Sequence, residues 1–134
     1  MSEENVEVVR RIYDAFARDD LTALLELLDP AIRCYDRPSR PGADVYIGQT
    51  GFLRFWQSDR EVFESVRYDP REFTDVDDHV VVPIRQSGRG KGGKVPVEEE
   101  IVNVWKVRSG RAVELRVYST KREAFEAVGL RKRY

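Results

Sequence analysis

The feature that most constrains this chain is a change of hydrophobic period near residue 65, with helical spacing before it and long valine-rich runs after it. In the first segment Val6, Val9, Tyr13 and Phe16 fall near one helical stripe. Val8, Ile12 and Ala15 widen that stripe, while Arg10, Arg11, Asp14 and Arg18 face elsewhere. Ser2 can cap the helix, and Glu3 and Glu4 lie in its first turn, where the helix dipole favours negative charge. A second helix carries Leu21, Leu24, Leu25 and Leu28 and is expected to stop at Asp29-Pro30, because proline disfavours helical geometry in the residue before it. A short strand over 32–35 then leads into an irregular loop over 36–42, marked by two prolines and a glycine. The third helix is capped by Thr50 and presents Phe52, Phe55, Trp56 and Phe63 at helical spacing.

After the change of period, residues 65–74, 80–87, 95–108 and 112–119 read as long antiparallel strands. Their turns are Asp77-Asp78, the glycine-rich run 88–93 and Ser109-Gly110. Pro70, Pro83 and Pro96 fall inside strand readings and imply bulges or edges that curve the sheet. A last helix opens with a capping box, Thr120 with Glu123, and stops at Gly129. The predicted organisation is α+β, one domain over 1–130, followed by a basic tail over 131–134. Residues 79–84 and 101–107 are apolar on both strand faces, and helices placed on one face would leave valines of the other in water. The expectation is a homodimer through the sheet.

A length of 134 residues is enough to bury a core without metals or disulfides. Charged residues make up 35% of the chain, yet the net charge is −1, so bulk charge attracts neither nucleic acid nor an anionic membrane, and neither is expected as a partner. Cys34 and His79 are each the sole residue of their type, which excludes an internal disulfide and a Cys/His zinc site. No cofactor is expected. The acidic start of the chain carries no basic flank or apolar signal core, and a cytoplasmic location is the expectation. The 88–93 run is not a phosphate cradle, because such loops feed a helix N-terminus and this one returns into a strand.

The stretches 11–16 (RIYDAF), 20–30 (DLTALLELLDP) and 46–48 (YIG), followed by a four-strand meander, resemble the nuclear transport factor 2-like superfamily and, more narrowly, its SnoaL-like branch. The resemblance covers essentially the whole chain. It implies a cone-shaped, curved, mostly antiparallel sheet wrapped around N-terminal helices, the cystatin-like or ketosteroid isomerase-type α+β barrel, with a small apolar molecule held in the cone. Members include isomerases, cyclases, dehydratases, hydrolases and non-catalytic adaptors, so the fold alone does not choose an activity.

In the ketosteroid isomerase members an aspartate after the second helix shuttles a proton, while a tyrosine and a protonated aspartate hydrogen-bond the enolate oxygen. Counted from Asp20-Leu21, the shuttling position falls on Asp36. A partly desolvated carboxylate at a pocket mouth can take and return a carbon-bound proton. The tyrosine position falls on Ile12, with Tyr13 about 100° further around the helix and so expected to point elsewhere. The second oxyanion position falls near Asn103, whose amide can donate a hydrogen bond. Asp36 and Asn103 are therefore the candidate catalytic residues, and Tyr13, Phe16, Phe52, Phe55, Trp56 and Trp105 the candidate pocket lining.

Each residue also has a structural reading. Asp36 before Arg37-Pro38 can close an Asx-type turn, Asn103 can be a satisfied core amide, and Glu99 can face inward with Ile101 and Asn103 or stand in solvent. The histidine pair of the fold's dehydratases is missing, and neither Arg85 nor Arg116 is followed two residues later by the aspartate of its epoxide hydrolases. A proton-transfer enzyme and a non-catalytic binding or adaptor domain both remain open. The first expects an enclosed cavity of about 300 Å³ or more.

Overall fold

A computed structural model describes residues 2–37, 44–90 and 96–129, with the side chains of residues 2 and 59–64 outside that description. The basic tail therefore falls outside the described residues. Helix α1 (Ser2–Arg18) turns at Asp19, which adopts a positive φ of 52°, into α2 (Leu21–Glu26), capped by Asp20 through its side chain to the Ala23 amide. Strand β1 (Leu28–Tyr35) and β2 (Val45–Ile47) follow, then α3 (Gly48–Val62), β3 (Phe63–Pro70), β4 (Thr74–Val76), β5 (His79–Gly90), β6 (Pro96–Arg108), β7 (Arg111–Tyr118) and α4 (Lys121–Ala127).

Among the described residues seven strands form one sheet in the order β2-β1-β7-β6-β5-β3, with β4 also pairing β5. All pairings are antiparallel except β1 with β7. The inner face packs on α1 and α3 around Val9, Ile12, Leu24, Phe52, Val80, Val82 and Trp105. This is the α+β arrangement that the change of period predicts.

Several boundaries differ from the sequence reading. The second helix ends before Leu28, which already belongs to β1; Pro30 sits where the β1–β7 register shifts, so its missing N–H falls in an irregular stretch of the ladder. The third helix starts at Gly48 rather than after Thr50. Gln49 reaches back with its amide to the Leu25 and Leu28 carbonyls at 3.1 and 3.0 Å, tying the end of α2 to the start of α3. The run 65–74 is two strands, β3 and β4, and Phe63 opens the first of them instead of continuing the helix.

That break explains Pro83. Along β5, β3 pairs as far as Ile84 and β4 resumes at Val81, so Pro83 lies in the gap where its absent N–H removes no bond from that edge. The Ser109-Gly110 turn has both residues at positive φ, the geometry a tight hairpin between β6 and β7 needs, and Thr120 and Glu123 form the expected capping box.

The valine-rich outer face is not left in water. Val76, Val81, Val102 and Val104 are buried under α4, packed with Ala124 and flanked by Tyr118, Phe125 and Val128. The expectation of a homodimer rested on that face being uncovered, and the last helix of the same chain covers it. No helix among the described residues is long and apolar enough to cross a membrane.

Candidate active site

Strand parity decides what enters the cone. On β6, Glu99, Ile101, Asn103 and Trp105 alternate inward, while Val102 and Val104 alternate outward beneath α4. On β5, Gln86 faces in opposite Glu99. These strands, with α1, α3 and the end of β1, line a partly open cavity of about 180 Å³.

Its wall is aromatic. Phe16 stacks parallel to Phe52 with ring centroids 6.2 Å apart and contacts Trp56 and Tyr68 at 5.4 and 5.5 Å. Phe55, held by Tyr46 at 5.1 Å, completes one side, and Leu115 and Val117 from β7 another. All six aromatic residues read from the sequence as pocket lining border this cavity. Tyr68 and Gln86 were missed, since strand periodicity gives their faces only once the register with β6 is known.

Tyr13 does not point elsewhere. The buried face of α1 is wide enough to include Val9, Ile12, Tyr13 and Phe16 together, and the phenol of Tyr13 reaches across the cone. Its oxygen accepts hydrogen bonds from Asn103 Nδ2 at 2.8 Å and Trp105 Nε1 at 2.9 Å, and its ring meets that of Trp105 edge-on at 5.9 Å. Burial holds its ionisation well above the ordinary tyrosine range, and the two donated hydrogen bonds only partly oppose that. The hydroxyl is a neutral donor at any physiological pH. Asn103 thus spends one amide N–H on Tyr13, while its Oδ1 is buried with no partner among the described residues.

Asp36 stands at the other end, where β1 runs out. Its Oδ1 accepts from the backbone amide of its neighbour Arg37 at 2.8 Å, one residue on rather than the two of an Asx-type turn, and the side chain borders the cavity. Arg37, largely buried, closes the same end with a 2.7 Å ion pair to Glu99. Glu99 therefore both borders the cavity and remains half in solvent. The Arg37 contact had no sequence signal beyond its place next to Asp36. The other candidates lie apart: His79 pairs with Asp78 beside its turn, Arg85 with Glu98 and Glu100, and Arg116 covers the Tyr35 ring. Among the described residues no three metal-ligating side chains converge.

A curved sheet closed by N-terminal helices over an aromatic cavity defines a small-molecule-pocket α+β domain. The sequence model of the SnoaL-like domain matches residues 9–115, and the chain belongs to that family. Solved structures agree in fold. TerC co-crystallised with polyporic acid superposes with a TM-score of 0.78 at 22% identity, covering 93% of this chain and 98% of that one. A candidate SnoaL-like polyketide cyclase from Jannaschia sp. CCS1 gives 0.76 at 22% identity, covering 96% and 93%. A protein of ketosteroid isomerase-like fold from Catenulispora acidiphila, in complex with trimethylamine, gives 0.72 at 16% identity, covering 92% of each chain. No curated protein matches the sequence.

Proposed function

We propose that the cavity is a proton-transfer active site of the isomerase, cyclase or lyase kind. In this reading Asp36 takes a proton from carbon and returns it. Tyr13 donates to the carbonyl oxygen on which charge develops, and Asn103 positions that hydroxyl rather than touching the oxyanion itself. The chemistry runs on side chains alone. The observation that carries the reading is that Asp36 and the doubly braced Tyr13 hydroxyl border one aromatic cavity. A carboxylate and a fixed neutral donor facing one aromatic cavity are what enolisation needs, because donors preset for the developing charge need not reorganise as it forms. Membership of the SnoaL-like family supports a small-molecule domain of the cyclase or isomerase type.

The cavity falls short of the ~300 Å³ or more that the enzyme reading expects, which counts toward a non-catalytic domain. At about 180 Å³ it is close to the ~150 Å³ of an engineered protein cavity that takes benzene. A single ring or a short chain fits within it.

A non-catalytic binding domain is the second reading, favoured by the bond between Asp36 and its own neighbour's amide. Asp36→Asn separates the two. On a panel of small enolisable ketones, proton exchange with deuterated water followed by NMR should fall at least a hundredfold in the variant while binding persists. Equal exchange in both proteins removes Asp36 from the chemistry.

A further inference from the structure

Gln86 on β5 is only 6% exposed, yet its side-chain amide makes no hydrogen bond among the described residues. It stands at an inward position between Tyr68 of β3 and Glu99 of β6, and all three side chains border the cavity. The amide is not sealed away: it is not among the polar groups that are both without a partner and without accessible surface. The space it opens on is the cavity. Asn103 is in register with Val82, four residues from Gln86 along β5, so Gln86 lies nearer the mouth, level with Glu99. Buried side-chain amides are almost always hydrogen-bonded, and one left facing an apolar space calls for a partner from outside the chain.

We infer that Gln86 sets the ligand specificity of the cavity, and that the ligand it selects carries a neutral carboxamide or lactam edge. The Gln86 side chain offers an N–H donor and a carbonyl acceptor side by side. A second amide offers the reverse pair on one edge, so two hydrogen bonds form together. A ketone takes the donor and leaves Oε1 buried without a partner. A carboxylate turns lone pairs toward Oε1 and brings charge beside Glu99, whose counter-ion, Arg37, is already held at 2.7 Å. The body of the ligand lies among Phe16, Phe52, Phe55 and Trp56, and the cavity volume limits it to about one ring. This goes beyond the proton-transfer reading, since recognition by Gln86 holds whether or not Asp36 moves a proton.

Three ring compounds of similar size test it. Benzamide can donate and accept on one edge, acetophenone replaces the amide NH2 by a methyl and can only accept, and benzoate carries a charge. Trp56 and Trp105, the only tryptophans in the chain, both border the cavity, so titrations followed on their indole N–H resonances report binding. Wild-type protein should bind benzamide roughly tenfold more tightly than acetophenone, against the order set by hydrophobicity, because an analogue that leaves a buried polar group unpaired is rejected. Gln86→Leu should remove that preference while still binding acetophenone. Acetophenone binding as tightly as benzamide in the wild type overturns the inference, as does binding of none of the three or a preference that survives in Gln86→Leu. Benzoate binding best overturns it too and moves recognition to Arg37. The wild-type series decides even if the variant fails to fold. Proton exchange in Asp36→Asn bears on the proton-transfer reading alone, so the two can fail separately.

Discussion

Asn103 on β6 donates a 2.8 Å hydrogen bond to the hydroxyl of Tyr13 on α1, 90 residues earlier in the chain. The bond is buried and joins the first helix to a central strand. Tyr13→Phe keeps the ring and removes the oxygen, leaving two buried donors, Asn103 Nδ2 and Trp105 Nε1, without an acceptor. Each orphan costs about 1–3 kcal/mol. The variant should be less stable by that order in urea denaturation, although phenylalanine is the more apolar residue.

The same phenol also shapes the alkaline limb of stability. Its folded ionisation lies above the ordinary value of 10.0 because of burial, so the unfolded chain ionises first as pH rises. The contribution is complete below pH 10 and is lost progressively above it. Tyr13→Phe should flatten that part of the profile.

Cys34 is buried, and burial pushes its thiol from an ordinary 9.0 up to about 12. Raised in the folded state, it contributes stability present below pH 9 and lost between pH 9 and about 12. Urea midpoints at pH 8 and pH 10.5 should converge in Cys34→Ala relative to the wild type. The native thiol should also resist a disulfide reagent at pH 8.

Gly51 on α3 sits where an added Cβ would lie 3.0 Å from the Tyr46 backbone carbon. Alanine gains about 1 kcal/mol of helix propensity, but forcing a methyl into a packed contact costs about 1–3 kcal/mol. The obstacle is backbone and cannot swing aside, so Gly51→Ala should lower the melting temperature. Because Tyr46 supports Phe55, it should also weaken ring binding in the cavity.

Pairing of two copies through the sheet, if it occurs, should use the β2 end rather than the valine face. Ile47 and Val45 are 68% and 45% exposed there. Sedimentation should then show Ile47→Glu as a monomer under conditions where the wild type is a dimer; a dimer that survives the substitution excludes that surface.

Much of the architecture was legible because local chemistry and global fold agree. The Thr120 and Glu123 capping box, the Ser109-Gly110 turn and the aromatic spacing of Phe52, Phe55 and Trp56 needed no tertiary knowledge. The site was legible only in part. Asp36 was reached through a resemblance, and its position at the cavity follows from where β1 ends. For Tyr13 a one-residue offset on a helix misleads, because α1 buries a face broad enough for Ile12 and Tyr13 alike. The Arg37–Glu99 pair joins elements 62 positions apart, and the cover of the outer valines depends on which way α4 turns back. Neither leaves a periodic trace.

The placement of that cover has a consequence for how the protein is made. Helix α4 follows every strand in chain order, so on the ribosome β5, β6 and β7 emerge before the segment that shields Val81, Val102 and Val104. Until residues 121–127 are released, a nascent sheet presents a row of sticky valines to its surroundings. Self-association and chaperone capture should be greatest in that interval, and slowing translation just before α4 should lengthen it.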